Sequence, residues 1–498
     1  EVWRRYTAAG APEVAAALAS ARGAQPAWAA RPLRERVAIL ERFRRLLYEA
    51  RQEMAGIVVR ENGKATVEGL GEVMLVLDLC AFYGKAAPRE LAPRTFRSAS
   101  LAMFRKQITI AQEPVGVMGV IAPWNYPLML AAGHVLPALV AGNAVLLKPS
   151  ELTPTTAVRM VELLHAAGVP REVLHVLPGA GAAGAALVAS GVDKVFFTGS
   201  EATGRLVSAE CGRRMIPCVL ELGGSDPAIV LEDAPLDVAA DGIVFGRFYN
   251  AGQTCVAPKR VFVVDAVHDA FVREVSARVN ALSVGAATSG AEVGPLIHPT
   301  QVAALAVQYD DALARGAQVA ARSPVQKDEP GYFPPTVLTG VTEDMKVLRE
   351  ETFGPVLPIV RVRDADDAVR RANASTFGLS ASIWTRDRRR GVAIAHRLQA
   401  GSVMLNDVLL AAGIAEVPHG GVKSSGMGRS HGVAGLLECV QSKAIITERF
   451  PGIRQLWWYR YTPDLARGFD AFLRLAHGRS PADRLAGLVG VRRLLRRK

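Results

Sequence analysis

Cys255 lies in Tyr249-Asn250-Ala251-Gly252-Gln253-Thr254-Cys255-Val256-Ala257-Pro258, and Glu221, thirty-four residues upstream, lies in Leu220-Glu221-Leu222-Gly223-Gly224. A thiol attacks as thiolate, so a reactive cysteine needs activation and a proton acceptor close by. A glycine-flanked carboxylate and a loop-borne cysteine, preceded by a strand–loop–helix of nucleotide-binding type, point to covalent catalysis beside a cofactor.

That preceding segment is Lys194-Val195-Phe196-Phe197-Thr198-Gly199-Ser200-Glu201-Ala202-Thr203-Gly204. It reads as a strand, a tight turn and a helix start. Gly199 would let backbone approach a pyrophosphate, the helix N-terminus offers unpaired N–H groups, and Ser200 suits an N-cap. The spacing is not Gly-x-Gly-x-x-Gly, so by itself the segment is equally an ordinary strand–helix turn. Lys148-Pro149-Ser150-Glu151 closes another predicted strand, at the end where doubly wound sheets bind ligands. Without context, Lys148 and Glu151 are also a surface ion pair. Glu350-Glu351-Thr352-Phe353-Gly354-Pro355 reads as a helix-end turn, and Pro123-Trp124-Asn125-Tyr126-Pro127 brackets an asparagine with prolines.

Taken together, in this order, these motifs resemble the aldehyde dehydrogenase superfamily over about residues 10 to 448. The Cys255 stretch and Leu405-Asn406-Asp407-Val408-Leu409-Leu410 lean toward its fatty and aromatic aldehyde branch. The resemblance implies Cys255 as nucleophile, Glu221 as general base for hydrolysis of a thioester, and Asn125 with the Cys255 N–H as oxyanion donors. It implies a cofactor site using Gly199, Ser200 and Gly204, with Lys148 and Glu151 on the adenosine ribose and Glu351 and Phe353 at the nicotinamide end. A carboxylate at Glu151 accepts from a 2′-OH and repels a 2′-phosphate, which favours NAD over NADP. Burial of Glu221 after an apolar strand predicts a raised pKa, suited to a base near neutrality. After Glu221-Leu222-Gly223-Gly224 the chain has Ser225-Asp226-Pro227, where the family usually carries Lys or Asn first; the chemical roles are untouched.

The predicted substrate mouth includes Tyr126 and the apolar 406–414 loop with Leu409 and Leu410, suited to an uncharged aliphatic or aromatic aldehyde. Two other readings stand beside this one. A CoA-acylating dehydrogenase has no need of Glu221, and a non-catalytic protein on the same fold has no need of the Cys, Glu and Asn set.

The positioning elements follow from pattern. The first hundred residues read as helices, at 12–22 and 33–60. Arg97 to Ala111 suggests a hairpin. From Val115, short apolar runs at 115–121, 144–147, 173–177 and 194–197 alternate with helices near 127–141, 154–167 and 182–190. The 154–167 helix has Thr153 as N-cap, Pro154 at its first position and Gly168 beyond its end. Such alternation predicts a doubly wound parallel sheet. A second α/β region begins near Gly223, with strands at 227–231 and 260–264 and helices at 235–250 and 268–281. The predicted fold is therefore α/β: a Rossmann-like NAD-binding domain (1–96 and 115–222), a catalytic domain (223–425), a small β oligomerisation element (97–114 and 426–448) and a basic amphipathic helical tail (449–498). A homodimer or homotetramer is expected.

Composition bounds the rest. The chain has 498 residues, half of them hydrophobic, which predicts more than one globular domain. Pro114 to Leu147 carries no Asp, Glu, Lys or Arg over 34 positions, but Pro123, Pro127 and Pro137 interrupt it, so a buried strand–helix–strand fits better than a membrane span. Five cysteines, an odd number, suit reduced thiols and a cytoplasmic setting, and the N-terminus has no signal-peptide pattern. The formal charge is +12, of which residues 451–498 supply +8 (eleven basic, three acidic), so a nucleic-acid partner is not expected. Trp457, Trp458, Tyr459 and Tyr461 followed by Leu465, Phe469, Phe472 and Leu473 at helical spacing, then Leu485, Leu488, Val489, Leu494 and Leu495 before Arg496-Arg497-Lys498, suit either packing on the body or a partner subunit, or peripheral contact with a membrane.

Overall fold

The computed structural model describes residues 3–100, 103–325, 331–455 and 457–495. The chain divides into two compact units, residues 1–90 with 114–441, and residues 91–113 with 442–498.

The first unit holds two α/β sheets. The six-stranded sheet runs Gly426–Met427, Cys218–Glu221, Lys194–Thr198, Val117–Ile121, Ala144–Lys148, Leu174–Val176. All neighbours are parallel except Gly426–Met427 against Cys218–Glu221. The central three strands are buried at every residue. Parallel strands covered on both faces read as unbroken apolar runs rather than alternating ones. Helix Met129–Ala141 is likewise buried throughout, which accounts for the uncharged stretch beginning at Pro114. Among the described residues, no helix is long and apolar enough to cross a membrane.

The seven-stranded sheet runs Gln318–Arg322, Thr336–Thr339, Val356–Val362, Pro258–Val264, Asp226–Val230, Ser380–Trp384, Ser402–Leu405. Only the first pair is antiparallel. Its core gathers Ile229, Val261, Val263, Leu357, Ile383 and Trp384, each nearly free of solvent exposure. Each such aliphatic side chain contributes about 1.5–3 kcal/mol on burial.

Local readings hold with adjusted ends. The first helix runs Ala11–Ala30, and the expected 33–60 helix is two, Leu33–Glu49 and Arg51–Asn62, parted at Ala50. Helix Pro154–Ala167 has the bounds read from its start and stop residues. Its cap differs: the Thr153 hydroxyl makes no capping bond, and Glu61 from another helix accepts from Thr155 N at 2.7 Å and Thr156 N at 2.9 Å. A carboxylate there also complements the helix dipole. A 25-residue helix, Thr66–Glu90, follows Asn62.

The second unit contains the three-stranded sheet Arg94–Arg97, Lys106–Pro114, Val440–Glu448 and a helical hairpin, Pro463–His477 with Pro481–Leu495. Thr462 and Ser480 cap the two helices, accepting from Leu465 N and Asp483 N. The helices meet on small residues: a Cβ on Gly487 or Gly490 would run into Ala471 or the Leu475 backbone. The larger apolar side chains Phe469, Leu473, Leu485, Leu488 and Val489 are left exposed, as are Trp458, Tyr459 and Tyr461. The side chains of Leu494 and Leu495, and Arg496 to Lys498, lie outside the described residues.

Candidate active site

Strand register assembles the site. Ile121 pairs with Lys148 and Phe197, and Thr198 pairs with Glu221, so four parallel strands end on one edge. The chain leaving those ends supplies Trp124-Asn125, Ser150-Glu151, Gly199-Ser200 and Leu222-Gly223. A cavity of about 220 Å³ opens there, lined by Trp124, Asn125, Thr198, Gly199, Ser200, Glu221, Gly223, Cys255, Glu351 and Phe353 among others.

The nucleophile loop is held in an unfavourable conformation. Asn250 and Ala251 have φ of 53°, and Gly252 has φ of 74°. The left-handed region costs a non-glycine residue about 1–2 kcal/mol. A network offsets that cost. Asn250 N donates to Glu68 Oε1 (2.6 Å), its side-chain amide to the Asn125 carbonyl (2.9 Å), and Gln253 Nε2 to the Asn250 carbonyl (3.0 Å). Gly252 is required twice over, since a Cβ would also meet the Gly354 carbonyl. Asn125 Nδ2 donates to the Gln253 carbonyl at 3.1 Å, which fixes its amide beside the Cys255 loop. An amide carries two N–H donors, so one bond of this kind leaves the second for an oxyanion.

Helix Thr66–Glu90 fastens both loops from beneath. Glu72 accepts from Lys64 Nζ (2.6 Å), and from Leu128 N and Met129 N at the start of the buried helix after Asn125 (3.0 and 3.1 Å). Lys64 Nζ also donates to the Asn125 carbonyl at 2.7 Å. All of these groups are buried and paired, as buried charges must be.

Burial pushes the Cys255 thiol up to about 12; Lys259 opposes this, while Glu351, Asp226 and Glu221 add to it. Lys259 Nζ donates to the carbonyls of Thr254 (2.9 Å) and Cys255 (2.6 Å) and lies 3.2 Å from Glu351 Oε1. Sequence reading missed Lys259. Its signal was a lysine, followed by Arg260, inside a strand of otherwise apolar residues, four residues after the nucleophile.

Glu221 reverses one expectation. Burial alone would raise its pKa, but His134, through charge and hydrogen bonding, then His419 and Ser430, outweigh burial and hold it well below the usual carboxylate range. Oε2 accepts from Thr198 Oγ1 at 2.9 Å and lies 3.5 Å from His134 Nε2, and Oε1 accepts from Ser430 Oγ. None of these partners was among the site residues read from sequence. His134 sits inside the uncharged run, and Ser430 is distant in sequence.

At the cofactor end, Ser200 caps helix Glu201–Arg213, accepting from Thr203 N. A Cβ on Gly199 would lie 2.6 Å from Phe197 Cζ, and one on Gly204 would run into Leu222. A Cβ on Gly223 would enter the Glu351 carboxylate, which accepts from Gly224 N at 3.0 Å. Phe353 meets Trp124 edge to face at 5.5 Å. This glycine floor, helix N-terminus and carboxylate fit a dinucleotide with a ribose at Glu351. Lys148 Nζ donates to the Gly179 carbonyl (2.7 Å) and stands 3.6 Å from the exposed Glu151 carboxylate.

Lys148, Glu151, Gly204, Tyr126, Leu409 and Leu410 are not in the wall of the cavity lined by Cys255. Tyr126 is packed away from it: its hydroxyl shares a hydrogen with Thr254 Oγ1 (2.6 Å), and Lys64 Nζ lies 4.1 Å from its ring centre. Leu409 takes a φ of 64° and is partly buried, and Leu410 is exposed. A larger cleft of about 640 Å³, with Phe245, Tyr249 and Val293 in its wall, contains none of the predicted residues.

Comparison with known proteins agrees with this geometry. The model of the aldehyde dehydrogenase family matches residues 1–445. The chain is 41% identical over 442 residues to a Mycolicibacterium smegmatis protein named "Putative succinate-semialdehyde dehydrogenase" (NADP+), covering 88% of this chain and 85% of that one. It is 37% identical over 462 residues to 4,4'-diapolycopene aldehyde oxidase of Methylomonas sp, covering 93% and 86%. Among solved structures, the Mycobacterium tuberculosis aldehyde dehydrogenase complexed with NAD+ superposes with a TM-score of 0.84 at 33% identity, covering 88% of this chain and 91% of that one.

Proposed function

We propose that this chain, which belongs to the aldehyde dehydrogenase family, oxidises an apolar aldehyde to its carboxylic acid through a thioester on Cys255. It is an NAD- or NADP-dependent aldehyde dehydrogenase. One observation carries the residue assignment: Cys255, Asn125 and Glu221 share the wall of a single cavity with Gly199, Glu351 and Phe353.

In this reading Cys255, half-buried, first loses its thiol proton to solvent, and the Sγ thiolate attacks the carbonyl carbon. The Asn125 amide and the Cys255 N–H take the developing oxyanion, each donor contributing about 3–4 kcal/mol to the transition state. When bound against Gly199, Ser200, Glu351 and Phe353, NAD or NADP supplies the hydride acceptor. Glu221 then takes a proton from water, the water oxygen bonds to the acyl carbon, and Cys255 leaves with the C–S electron pair. Glu151 beside Lys148 favours the free 2′-hydroxyl of NAD. We assign residues 1–96 and 115–222 to cofactor binding, 223–425 to catalysis, and 97–114 with 426–448 to oligomerisation.

The apolar substrate follows from charge. The wall of the cavity carries two carboxylates, Glu221 and Glu351, and none of its residues is Lys or Arg. A second carboxylate, as in the semialdehyde of succinate, would meet repulsion without a partner. Leu409 and exposed Leu410 are assigned to the outer, apolar part of the substrate path. The expected result is a kcat/KM for decanal at least about tenfold above that for succinate semialdehyde. Equal values, or the reverse order, would overturn the apolar assignment.

The tail is assigned to peripheral contact with an anionic lipid surface. Its hairpin spends small residues on its own interface, exposes its larger apolar ones, and belongs to a segment of charge +8. Pelleting with vesicles containing phosphatidylserine is expected to weaken as salt rises and to vanish without residues 451–498. Equal pelleting by the truncated protein would remove the assignment.

A further inference from the structure

Away from the Cys255 cavity, two other thiols meet. Cys211 lies in the last turn of helix Glu201–Arg213, and Cys218 is the first residue of the strand Cys218–Glu221. The chain between them reverses tightly. The Cys211 carbonyl accepts from Arg214 N at 3.1 Å and from Ile216 N at 2.9 Å, and Met215 takes a φ of 56°. Strand register fixes the return, with Cys218 opposite Val195 of the neighbouring strand. The reversal brings the two side chains together, and the Cys211 thiol donates a hydrogen bond to the Cys218 sulfur. Their access to solvent differs: Cys211 is fully buried and Cys218 half-buried. Neither is in the wall of the Cys255 cavity.

Reactivity follows that asymmetry. The hydrogen bond from Cys211, helped by the Ser208 hydroxyl and the charge of Lys194, outweighs burial and lowers Cys218 to about 7. Roughly half of Cys218 is then thiolate at neutral pH, and the thiolate is the form that peroxides attack. Cys80 and Cys439 are buried, and burial pushes both thiols up, Cys439 to about 12. A half-buried thiolate touching a second thiol is the arrangement of an attacking and a resolving cysteine.

We propose that Cys218 and Cys211 form an oxidisable dithiol, in which Cys218 takes oxygen from a hydroperoxide and Cys211 closes a disulfide onto it. The Cys218 thiolate attacks one peroxide oxygen. The S–O bond forms, the O–O bond breaks, and the leaving alkoxide, or hydroxide from hydrogen peroxide, takes a proton from solvent. The Cys211 sulfur then attacks the Cys218 sulfur. The S–S bond forms, the S–O bond breaks, and the departing hydroxide takes the Cys211 proton and leaves as water. The two sulfurs lose two electrons between them, and the hydroperoxide gains them. Only the half-buried sulfur has to meet the oxidant, while the buried one has to reach its neighbour alone. A dithiol reductant reverses the bond by exchange.

The test uses the full-length enzyme treated with tert-butyl hydroperoxide, blocked with N-ethylmaleimide in denaturant and digested with trypsin without reduction. Cleavage after Arg205, Arg213, Arg214 and Arg247 puts Cys211 in peptide 206–213 and Cys218 in peptide 215–247. The two peptides are expected to appear joined, lighter than their sum by two hydrogens, and to separate on dithiothreitol. Cys211→Ser should leave Cys218 as a sulfenic acid that dimedone captures, and Cys218→Ser should leave Cys211 as a free thiol that maleimide blocks. Both wild-type peptides carrying maleimide after peroxide would overturn the proposal. So would dimedone capture of wild-type Cys218 with Cys211 still free, which makes Cys218 an oxidisable thiol with no resolving partner. The joined peptide is read in the wild type, so it decides the question even where a variant fails to fold.

Discussion

Cys255→Ala is expected to abolish aldehyde oxidation, lowering turnover on the order of 10⁴-fold or more, as removal of a covalent nucleophile does elsewhere. The loop should survive the change. Lys259 holds it through the carbonyls of Thr254 and Cys255, and Glu68 through Asn250 N, none of which needs the sulfur. Cofactor binding, read by quenching of protein fluorescence, should therefore persist in the inactive variant. The free enzyme also makes a prediction about pH. Its Cys255 thiol is pushed up to about 12, so it is protonated at neutrality, and the thiolate fraction grows about tenfold per pH unit below that value. Iodoacetamide labelling of the Cys255 peptide, followed by mass spectrometry, should climb about tenfold per pH unit, roughly a hundredfold from pH 7 to 9, without a plateau. The peptide must be identified, because half-buried Cys218, lowered to about 7 first by its hydrogen bond from Cys211, will label as well. Undiminished oxidation in Cys255→Ala would end the covalent mechanism.

The second large effect belongs to Glu221→Gln. Acylation and hydride transfer do not call on the carboxylate, so one equivalent of NADH per site should appear at the normal rate. Deacylation then lacks its base, and steady-state turnover should fall by roughly 10²–10⁴-fold. Glutamine can accept from one of the Thr198 and Ser430 hydroxyls and donate its amide N–H to the other, which keeps the strand end in place. The depressed pKa of Glu221 gives this test a pH dimension: the carboxylate stays ionised on mild acidification, so the wild-type burst and turnover should not part company as pH falls toward 5. Restoration of turnover by coenzyme A in Glu221→Gln would instead favour the acyl-thiol reading.

How much of this was legible depends on how local each cause is. Helix Pro154–Ala167 could be read to the residue, because Pro at its start and a left-handed Gly168 at its end are local signals. Its actual cap, Glu61, could not, since it arrives from a different helix. The strand-end motifs at Lys148, Thr198 and Glu221 declared themselves through apolar runs that stop at polar residues. The strands Val356–Val362 and Ser380–Trp384 were not assigned, although both are largely buried. The raised pKa expected for Glu221 followed from burial alone; the structure lowers it because His134, His419 and Ser430, from distant parts of the chain, outweigh burial at one carboxylate.

The order of residue types along the chain determined the reaction class. The Cys255 and Glu221 motifs pointed by themselves to covalent catalysis beside a cofactor, and their order with the other motifs carried the resemblance that implied aldehyde oxidation; side-chain identity is a local property. Tertiary structure decided what surrounds each of them: Lys259 under Cys255, Lys64 and Glu72 under Asn125, His134 behind Glu221. Those placements depend on register between strands and on packing between distant helices, and field strength at a buried group is a sum over neighbours in space.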